Sequence, residues 1–273
     1  MLTKVEARDQ NGALLAFQLD DISSGFEVQE ILGLDPVKAT LSASSFALLD
    51  GGQFQSSRRE ARNIKLKIGL KPNYTFDSVR DLRSRLYGFF MPEVDVNLRF
   101  YDSDGQVGDI WGVVETCEAP LFVKEPQVDI SIMCFKPDFV DQETVELSDT
   151  TTNDETEFLI DYSGTSPTGI NFTLYVDRSI GDFTIYHRPP DGTIRSFQFE
   201  ALLFDTDQVK ISTLVGDKSA VLTRDGVDSY ILRAVLPKSD WIQLKPGPNF
   251  LRVYVEGLSM PFDLSYTPRY GGL

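Results

Sequence analysis

The sequence has little of the chemistry on which metal centres and imidazole-dependent catalysis rely. Its 273 residues include two cysteines, Cys117 and Cys134, and one histidine, His187. This leaves very few soft or imidazole ligands for the whole protein. A disulfide between the two cysteines is geometrically conceivable if they lie on neighbouring strands. We expect free, packed thiols instead, because the chain is predicted to be intracellular.

Long apolar segments and an excess of basic residues are also missing. No apolar run, with glycine allowed, is longer than the six residues of 86–91, whereas about 20 residues are needed to cross a bilayer. Met1 is followed by Leu-Thr-Lys-Val-Glu and by no apolar signal-peptide core, so we expect a soluble chain that is not exported. The 26 Lys+Arg and 41 Asp+Glu residues give a formal net charge of −15. That charge argues against nonspecific binding of duplex nucleic acid by the whole surface.

What the sequence does contain is alternation of apolar and polar residues with a period of two. Such a pattern places one face of a strand on a core and the other towards water or a neighbour. The clearest runs cover residues 64–70, 94–100, 128–134 and 170–176. Turn-forming sequences separate the runs at residues 50–52, 102–105, 189–192 and 245–248. The chain is therefore predicted to be mainly β.

One segment has the spacing of an amphipathic helix. Between Phe76 and Phe90, apolar residues recur at positions 79, 82, 86 and 89, with Thr75 as the predicted N-cap. The opposite face carries arginines and an aspartate. We expect a single helix packed against a sheet in the first half of the chain.

A change in composition marks a domain boundary. Residues 141–157 hold seven acidic and no basic residues, and few of them are core formers. The stretch is interpreted as a linker or as the entry to an edge strand. Two β domains of similar size follow, at residues 1–140 and 141–273.

Motifs of known catalytic sites are absent. There is no glycine-rich phosphate loop, His-Glu-x-x-His, Cys-x-x-Cys or Gly-x-Ser-x-Gly sequence. His187 continues the apolar face of a predicted strand, which favours a core or strand-end histidine over a general base or ligand. Residues 102–105 resemble the start of a calcium loop, but a hairpin turn explains them better because the required glutamate is missing. Paired carboxylates for a glycosidase are not marked by any spacing. We expect no enzyme activity, no cofactor and no metal.

The strongest departure from the average is a basic segment in an acidic chain. Residues 58–85 carry nine basic and three acidic residues, a local charge of 9 − 3 = +6. The segment follows a predicted long hairpin, formed by strand-like residues 38–48 and a polar, flexible tip. Solvated strand and helix faces explain the charges, and nucleic-acid contact is a further alternative. The functional hypothesis is that this segment is a docking surface that meets acidic patches on identical or different subunits. Its candidate residues are Phe54, Arg58, Arg59, Arg62, Lys65 and Lys67.

Several segments together resemble a known family, the distal tail (Dit) proteins of long-tailed, non-contractile bacteriophages. In the first domain the likeness rests on Leu32-Gly33-Leu34-Asp35-Pro36, on the hairpin end at residues 50–54, and on residues 62–68, 78–87, 98–101, 112–115 and 128–139. In the second domain it rests on residues 247–251 and 266–270. These are patterns and not signature motifs. They cover most of the chain and are clearer in its first half.

The resemblance implies a fold and an assembly. The first domain is expected to be a β-sandwich or barrel of the "belt" type, with one helix and a long hairpin. The second is expected to be an outward-facing, galectin-like β-sandwich. The family forms a hexameric ring at the tail tip, which joins the tail tube to the hub protein and surrounds a channel for the tape-measure protein and DNA. The protein would be assembled in the host cytoplasm and carried in the virion, without membrane contact.

Two further expectations depend on this resemblance. Reversing the charges of Arg59, Arg62 and Lys65 together is expected to weaken ring assembly and to leave the fold intact, because their side chains are predicted to face outward. The alternative function is carbohydrate or receptor binding through the second domain, with Trp241 as the candidate ligand contact. Core or rim packing of Trp241 is the competing interpretation. With a packed Trp241, the second domain would serve as a platform for receptor-binding or side-fibre proteins.

Overall fold

The computed structural model describes residues 1–45, 50–121 and 123–273. It divides into two compact units. The first comprises Met1–Gln142 together with Tyr270–Leu273, and the second comprises Glu143–Arg269. Antiparallel strands dominate both units, which confirms the predicted mainly β fold.

In the part of the first unit that the structure describes, there are ten strands and one helix. The strands are β1 (Lys4–Arg8), β2 (Leu14–Gln18), β3 (Phe26–Leu32), β4 (Ala39–Ser44), β5 (Gln53–Arg59), β6 (Arg62–Leu70), β7 (Asp95–Tyr101), β8 (Gln106–Glu118), β9 (Gln127–Cys134) and β10 (Phe139–Val140). Helix α1 is Val79–Phe89.

The main sheet of this unit has the order β2-β1-β7-β8-β9-β6-β3. Strands β6 and β9 pair antiparallel, with Ile64 opposite Ile132 and Leu66 opposite Ile130. These four side chains are buried, as the alternation predicted. Strand β10 pairs with β8. The turn at residues 102–105 joins β7 to β8 as a hairpin, which confirms that interpretation over a calcium loop.

Helix α1 begins later than predicted. The N-cap is Ser78 and not Thr75, because Ser78 and Asp81 form a capping box. The Ser78 backbone N–H donates to the Asp81 carboxylate at 3.0 Å, and the Asp81 N–H donates back to Ser78 Oγ at 3.3 Å. Leu82 and Leu86 lie one turn apart and are fully buried. The capping box therefore sets where the apolar face of the helix starts.

Strands β4 and β5 form a separate two-stranded sheet, called the ribbon below. Their register pairs Ala39 with Arg59 and Ser44 with Gln53, with a bulge at Ser42/Ala43. This confirms that a hairpin forms, but its return strand covers Gln53–Arg59, most of which was predicted as the flexible tip. Residues 46–49, where the predicted first strand ends, lie outside the described residues.

The second unit contains twelve strands. They are β11 (Val145–Thr150), β12 (Phe158–Tyr162), β13 (Thr168–Gly169), β14 (Asn171–Tyr175), β15 (Ile180–Arg188), β16 (Arg195–Leu203), β17 (Gln208–Ser212), β18 (Ser219–Arg224), β19 (Val227–Tyr230), β20 (Gln243–Leu244), β21 (Gly247–Tyr254) and β22 (Pro261–Tyr266). A 3-10 helix covers Leu232–Ala234. A last short strand, β23, covers Arg269–Tyr270.

Two sheets of the second unit contribute to one apolar core. Their orders are β11-β22-β14-β17-β18-β19 and β12-β21-β15-β16. Phe172 on the first sheet and Phe183 on the second have ring centroids 6.1 Å apart. Strand β11 lies within the acidic stretch of residues 141–157 and forms an edge of the first sheet. The interpretation of that stretch as the entry to an edge strand is therefore confirmed for Val145–Thr150.

Both cysteines are free thiols, as expected. Cys134 is buried on β9, and Cys117 is half-buried on β8. Burial raises the pKa of Cys117 to about 11 and that of Cys134 to about 12. Among the helices in the described ranges, none has the length and apolarity to cross a membrane.

Candidate functional site

The ribbon presents both of its faces to solvent. All seven residues of β5 are exposed, and Leu41 and Phe54 keep 67% and 63% of their surface accessible. An isolated two-stranded sheet is marginally stable in water, because neither face is buried. The ribbon is therefore the element of the first unit that gains most from a partner.

Two neighbouring arginines of the ribbon have different surroundings. Arg58 is exposed and forms no ion pair with any described residue. Arg59 forms a bidentate pair with Asp138, its Nη1 donating to Oδ1 at 2.5 Å and its Nη2 to Oδ2 at 2.7 Å. The Asp138 side chain is only 9% exposed. Hydrogen bonding to this carboxylate raises the pKa of Arg59 above its usual value.

The prediction that Arg62 faces outward is wrong. Arg62 is 1% exposed and points to the same side of β6 as Ile64 and Leu66. Its guanidinium lies over the ring of Phe139, with Cζ 4.4 Å from the ring centroid. Burial lowers the pKa of Arg62, but a guanidinium remains charged at any physiological pH. Arg62 is therefore unavailable to a neighbouring subunit.

The buried guanidinium of Arg62 is satisfied by backbone carbonyl oxygens. Nη1 donates to Gly33 O at 2.5 Å and to Asp35 O at 2.7 Å, and Nε donates to Pro137 O at 2.7 Å. Nη2 donates to Gly271 O at 2.5 Å. Arg62 thus holds together segments that are distant in sequence. Reversing its charge would disrupt this cluster, so the fold is not expected to tolerate the triple charge reversal.

Lys65 and Lys67 lie on the opposite, solvent-facing side of β6. Lys67 stands between Glu30 on β3 and Asp129 on β9 in the strand register. A groove of about 430 Å³ on this side is also lined by Glu115 and other residues of β8. Lys65 and Lys67 are therefore surrounded by carboxylates and do not form a basic patch.

Other members of the basic segment are also occupied locally. Arg83 donates to the carbonyl oxygens of Ala119 and Pro120, at 2.8 and 2.9 Å. Lys71 pairs with Glu27 at 3.3 Å. Many of the basic side chains of this segment thus bind acceptors within the first unit. Arg58 remains as an exposed basic residue of the ribbon.

Trp241 in the second unit is half-buried against the core. Its ring meets Phe197 edge to face, with centroids 5.3 Å apart. The ammonium of Lys218 lies 5.2 Å from the centroid of the Trp241 ring. These contacts favour rim packing and leave less of the ring available for stacking on a sugar.

His187 lies inside the second unit, as its strand phase predicted. It is 1% exposed, and its Nε2 lies 3.0 Å from Asn249 Oδ1. Its Nδ1 is buried without a hydrogen-bond partner among the described residues. Among all the residues that the structure describes, no group of three or more His, Cys, Asp or Glu side chains is arranged to hold a metal ion.

The second unit contains the match to a known family. Residues 163–270 match the family described as "Siphovirus-type tail component, C-terminal domain". Over this region the chain is similar to a family of phage tail components. The resemblance of the sequence to the distal tail proteins is thereby confirmed. No curated protein matched the chain in a sequence comparison.

One solved structure of a phage protein shares the fold, and two others are less similar. The crystal structure of the Dit protein of phage SPP1, described as a paradigm of the hub adsorption apparatus in phages infecting Gram-positive hosts, superposes with a TM-score of 0.67 at 17% identity. The match covers 97% of this chain and 98% of that chain. Two structures of the phage p2 baseplate in its activated conformation, with Ca and with Sr, give TM-scores of 0.47 and 0.46 at 8% and 9% identity. They cover 97% and 96% of this chain, and 98% and 97% of theirs.

Proposed function

We propose that the protein forms a hexameric ring at the tail tip, in which the ribbon of each subunit contacts a neighbouring subunit. The observation that carries this proposal is a ribbon with both faces exposed, on a chain whose residues 163–270 match a family of tail components. The number six comes from the resemblance to the distal tail proteins. Closed rings supply every copy with the same partner surface, so that no ribbon is left uncovered.

The contact surface is proposed to centre on Leu41, Phe54 and Arg58. The two apolar side chains supply surface that a neighbouring subunit can bury. The exposed guanidinium supplies a positive charge that can pair with a carboxylate of that subunit, since the chain is acidic. Arg59 and Arg62 are left out of the contact surface because the first unit uses them internally. Lys65 and Lys67 belong to the groove on the open side of the sheet and are assigned no partner.

The ring is proposed to join the tail tube on one side to the hub protein on the other. Residues 1–140 would form the ring, and residues 141–273 would face outward, where receptor-binding or side-fibre proteins could attach. The central channel would pass the tape-measure protein and then DNA. A net charge of −15 supports this role, because an acidic channel repels nucleic acid and lets it pass. The ring would be assembled in the host cytoplasm and then carried in the virion.

Light scattering followed by electron microscopy tests the assembly. The expected result is a six-subunit species with an open centre, formed by the purified protein or after addition of tube and hub proteins. A protein that stays monomeric in all these mixtures, and that is not captured by tube or hub protein, would contradict the proposal. Testing the mixtures matters because some rings form only on a template.

Carbohydrate binding by the second unit is a weaker alternative. The ring of Trp241 is partly covered by Phe197 and Lys218, so the residue that motivated this function has a packing role. Binding of a host glycan that is lost in Trp241→Ala, while the unit stays folded, would restore the alternative.

A further inference from the structure

We infer that the Arg59–Asp138 ion pair positions the ribbon for assembly, and that Arg59 acts in assembly through this pair and not by touching a neighbouring subunit. The part of the inference that concerns assembly rests on the proposed function. The effect of the pair on the ribbon itself can be measured in the isolated chain. It gives Arg59 a role different from that of Arg58, one residue earlier in the same strand.

The ribbon's own hydrogen bonds do not determine where it points. At its base, the Glu60 N–H donates to Lys38 O at 3.0 Å, and Thr40 Oγ1 donates to the Glu60 carboxylate at 2.6 Å. These bonds tie one strand of the ribbon to the other. They stabilise the hairpin, but they would be kept if the whole ribbon swung about its base.

The Arg59–Asp138 pair joins the ribbon to a different part of the unit. Asp138 lies between β9 and β10, 79 residues further along the chain. Both carboxylate oxygens accept from the guanidinium, at 2.5 and 2.7 Å, and a bidentate pair fixes direction as well as distance. A swing of the ribbon would have to break both bonds.

The carboxylate of Asp138 is itself held in place by its neighbours. Arg62 donates to the carbonyl oxygen of Pro137 at 2.7 Å and lies over the ring of Phe139. The residues on either side of Asp138 are therefore anchored by a guanidinium that is 1% exposed. A fixed segment thus presents a nearly buried carboxylate to Arg59, which is the arrangement a positioning contact requires.

The two roles of Arg59 predict different results for Asp138. If Arg59 touched a neighbouring subunit, Asp138→Asn would leave assembly unchanged. If the pair positions the ribbon, Arg59→Gln and Asp138→Asn impair assembly to a similar extent. The double variant is then no worse than either single variant, because both changes remove the same interaction. Arg58→Gln is the matched control for ribbon exchange, since it removes the same charge from the same strand without touching the pair. It is not a control for assembly, because Arg58 belongs to the proposed contact surface.

Amide hydrogen exchange of residues 40–44 and 53–58 in the full chain tests the positioning directly. We expect exchange about tenfold faster in Arg59→Gln, in Asp138→Asn and in the double variant, because an unsupported two-stranded ribbon opens readily. Arg58→Gln should exchange like the wild type. Arg59→Lys, which keeps the charge but not the two-pronged contact, should fall in between. Exchange in β6 and β9 serves as the check that the unit stays folded.

Assembly is measured on the same variants by light scattering with tube and hub proteins. Unchanged ribbon exchange in both single variants, or a double variant with the summed effect of the two, would overturn the inference. So would Asp138→Asn assembling like the wild type while Arg59→Gln fails. A wild-type protein that never assembles would contradict the proposed ring, and the exchange data would still decide whether the pair positions the ribbon.

Discussion

Arg62 and Gly271 are 209 residues apart in sequence, yet the Arg62 guanidinium donates to the Gly271 carbonyl oxygen at 2.5 Å. The same side chain reaches the carbonyl oxygens of Gly33, Asp35 and Pro137. One buried cation therefore neutralises the partial charges of four carbonyl groups in the first unit. Because Arg62 bonds all four groups, their arrangement depends on it.

Replacing Arg62 with methionine should destabilise the first unit strongly. Methionine fills much of the same space but donates to none of the four carbonyl oxygens, and each lost hydrogen bond from a charged donor contributes about 1.5–3 kcal/mol. We expect a loss of at least about 3 kcal/mol in the free energy of unfolding, measured in urea. Lys65→Met, on the exposed side of the same strand, is the control and should be nearly neutral. Equal stability of the two variants would contradict this role of Arg62.

Gly33 should tolerate no side chain. Its φ is +89°, and a Cβ at this position would lie 2.1 Å from the carbonyl oxygen of Asn63. Gly12 has a similar φ of +83° and open space around it. Gly12→Ala should therefore cost about 1–2 kcal/mol from backbone strain alone. Gly33→Ala should cost clearly more, as measured by thermal unfolding. Equal destabilisation by Gly33→Ala and Gly12→Ala would mean that the backbone near Gly33 shifts to make room for the Cβ.

His187 should make the second unit sensitive to acid. Asn249 uses its amide nitrogen to donate to the carbonyl oxygens of Lys245 and Gly247, both at 2.7 Å, so its Oδ1 is the atom that faces His187 Nε2. Nε2 therefore carries the proton of the neutral ring. Protonating Nδ1 would place a charge on a buried atom that has no acceptor among the described residues.

Burial is the main reason why the pKa of His187 is lowered, and the nearby charges of Arg195 and Lys245 add to the effect. The unfolded chain then binds more protons than the folded one once the pH falls below about 6.5. Stability is retained above that pH and lost below it, by up to about 1.4 kcal/mol per pH unit. His187→Gln, which can still donate to Asn249, should lose much of this slope between pH 6.5 and 5. An unchanged slope in that variant would assign the acid sensitivity to other groups.

Trp241→Ala should destabilise the second unit by about 2 kcal/mol, because a half-buried aromatic ring loses its contact with Phe197. Tyr230→Ala, at an 85% exposed residue of the same unit, is the control and should have little effect. Calorimetry of the full chain measures both. A stable Trp241→Ala variant would show that the ring contributes little packing, and would make a ligand-binding role worth testing on a glycan array.

Phe54→Ser should weaken assembly without changing the fold. Phe54 is 63% exposed on the ribbon, so it adds nothing to the core but supplies apolar area to a neighbour. Tyr74→Ser, at a residue that is 81% exposed before the helix, is the matched control and should assemble normally. Light scattering with tube and hub proteins compares them. Equal assembly of both variants would remove Phe54 from the proposed contact surface.

Local patterns were enough to predict much of the fold. The alternation in β6 and β9 is dictated by burial of one face, and the structure pairs these strands with their apolar residues opposite each other. The start of the helix was placed too early. Ser78 and Asp81, spaced as a capping box, were the signal that identifies the true N-cap.

The candidate site was harder to predict because its decisive contacts are long-range. The phase of β6 already placed Arg62 with Ile64 and Leu66, so its burial could have been predicted from the alternation. Its carbonyl partners and the pairing of Arg59 with Asp138 could not. Those contacts depend on how segments separated by many residues meet, and no local pattern encodes that meeting.

The high thiol pKa values of the two cysteines bear on how the ribbon can be observed. At neutral pH almost none of Cys117 or Cys134 is thiolate, the form that reacts with maleimides. A cysteine introduced at the exposed position Ser56 would therefore be labelled ahead of both native thiols. A fluorophore attached there would follow ribbon docking in real time, in a chain that needs no prior removal of its own cysteines.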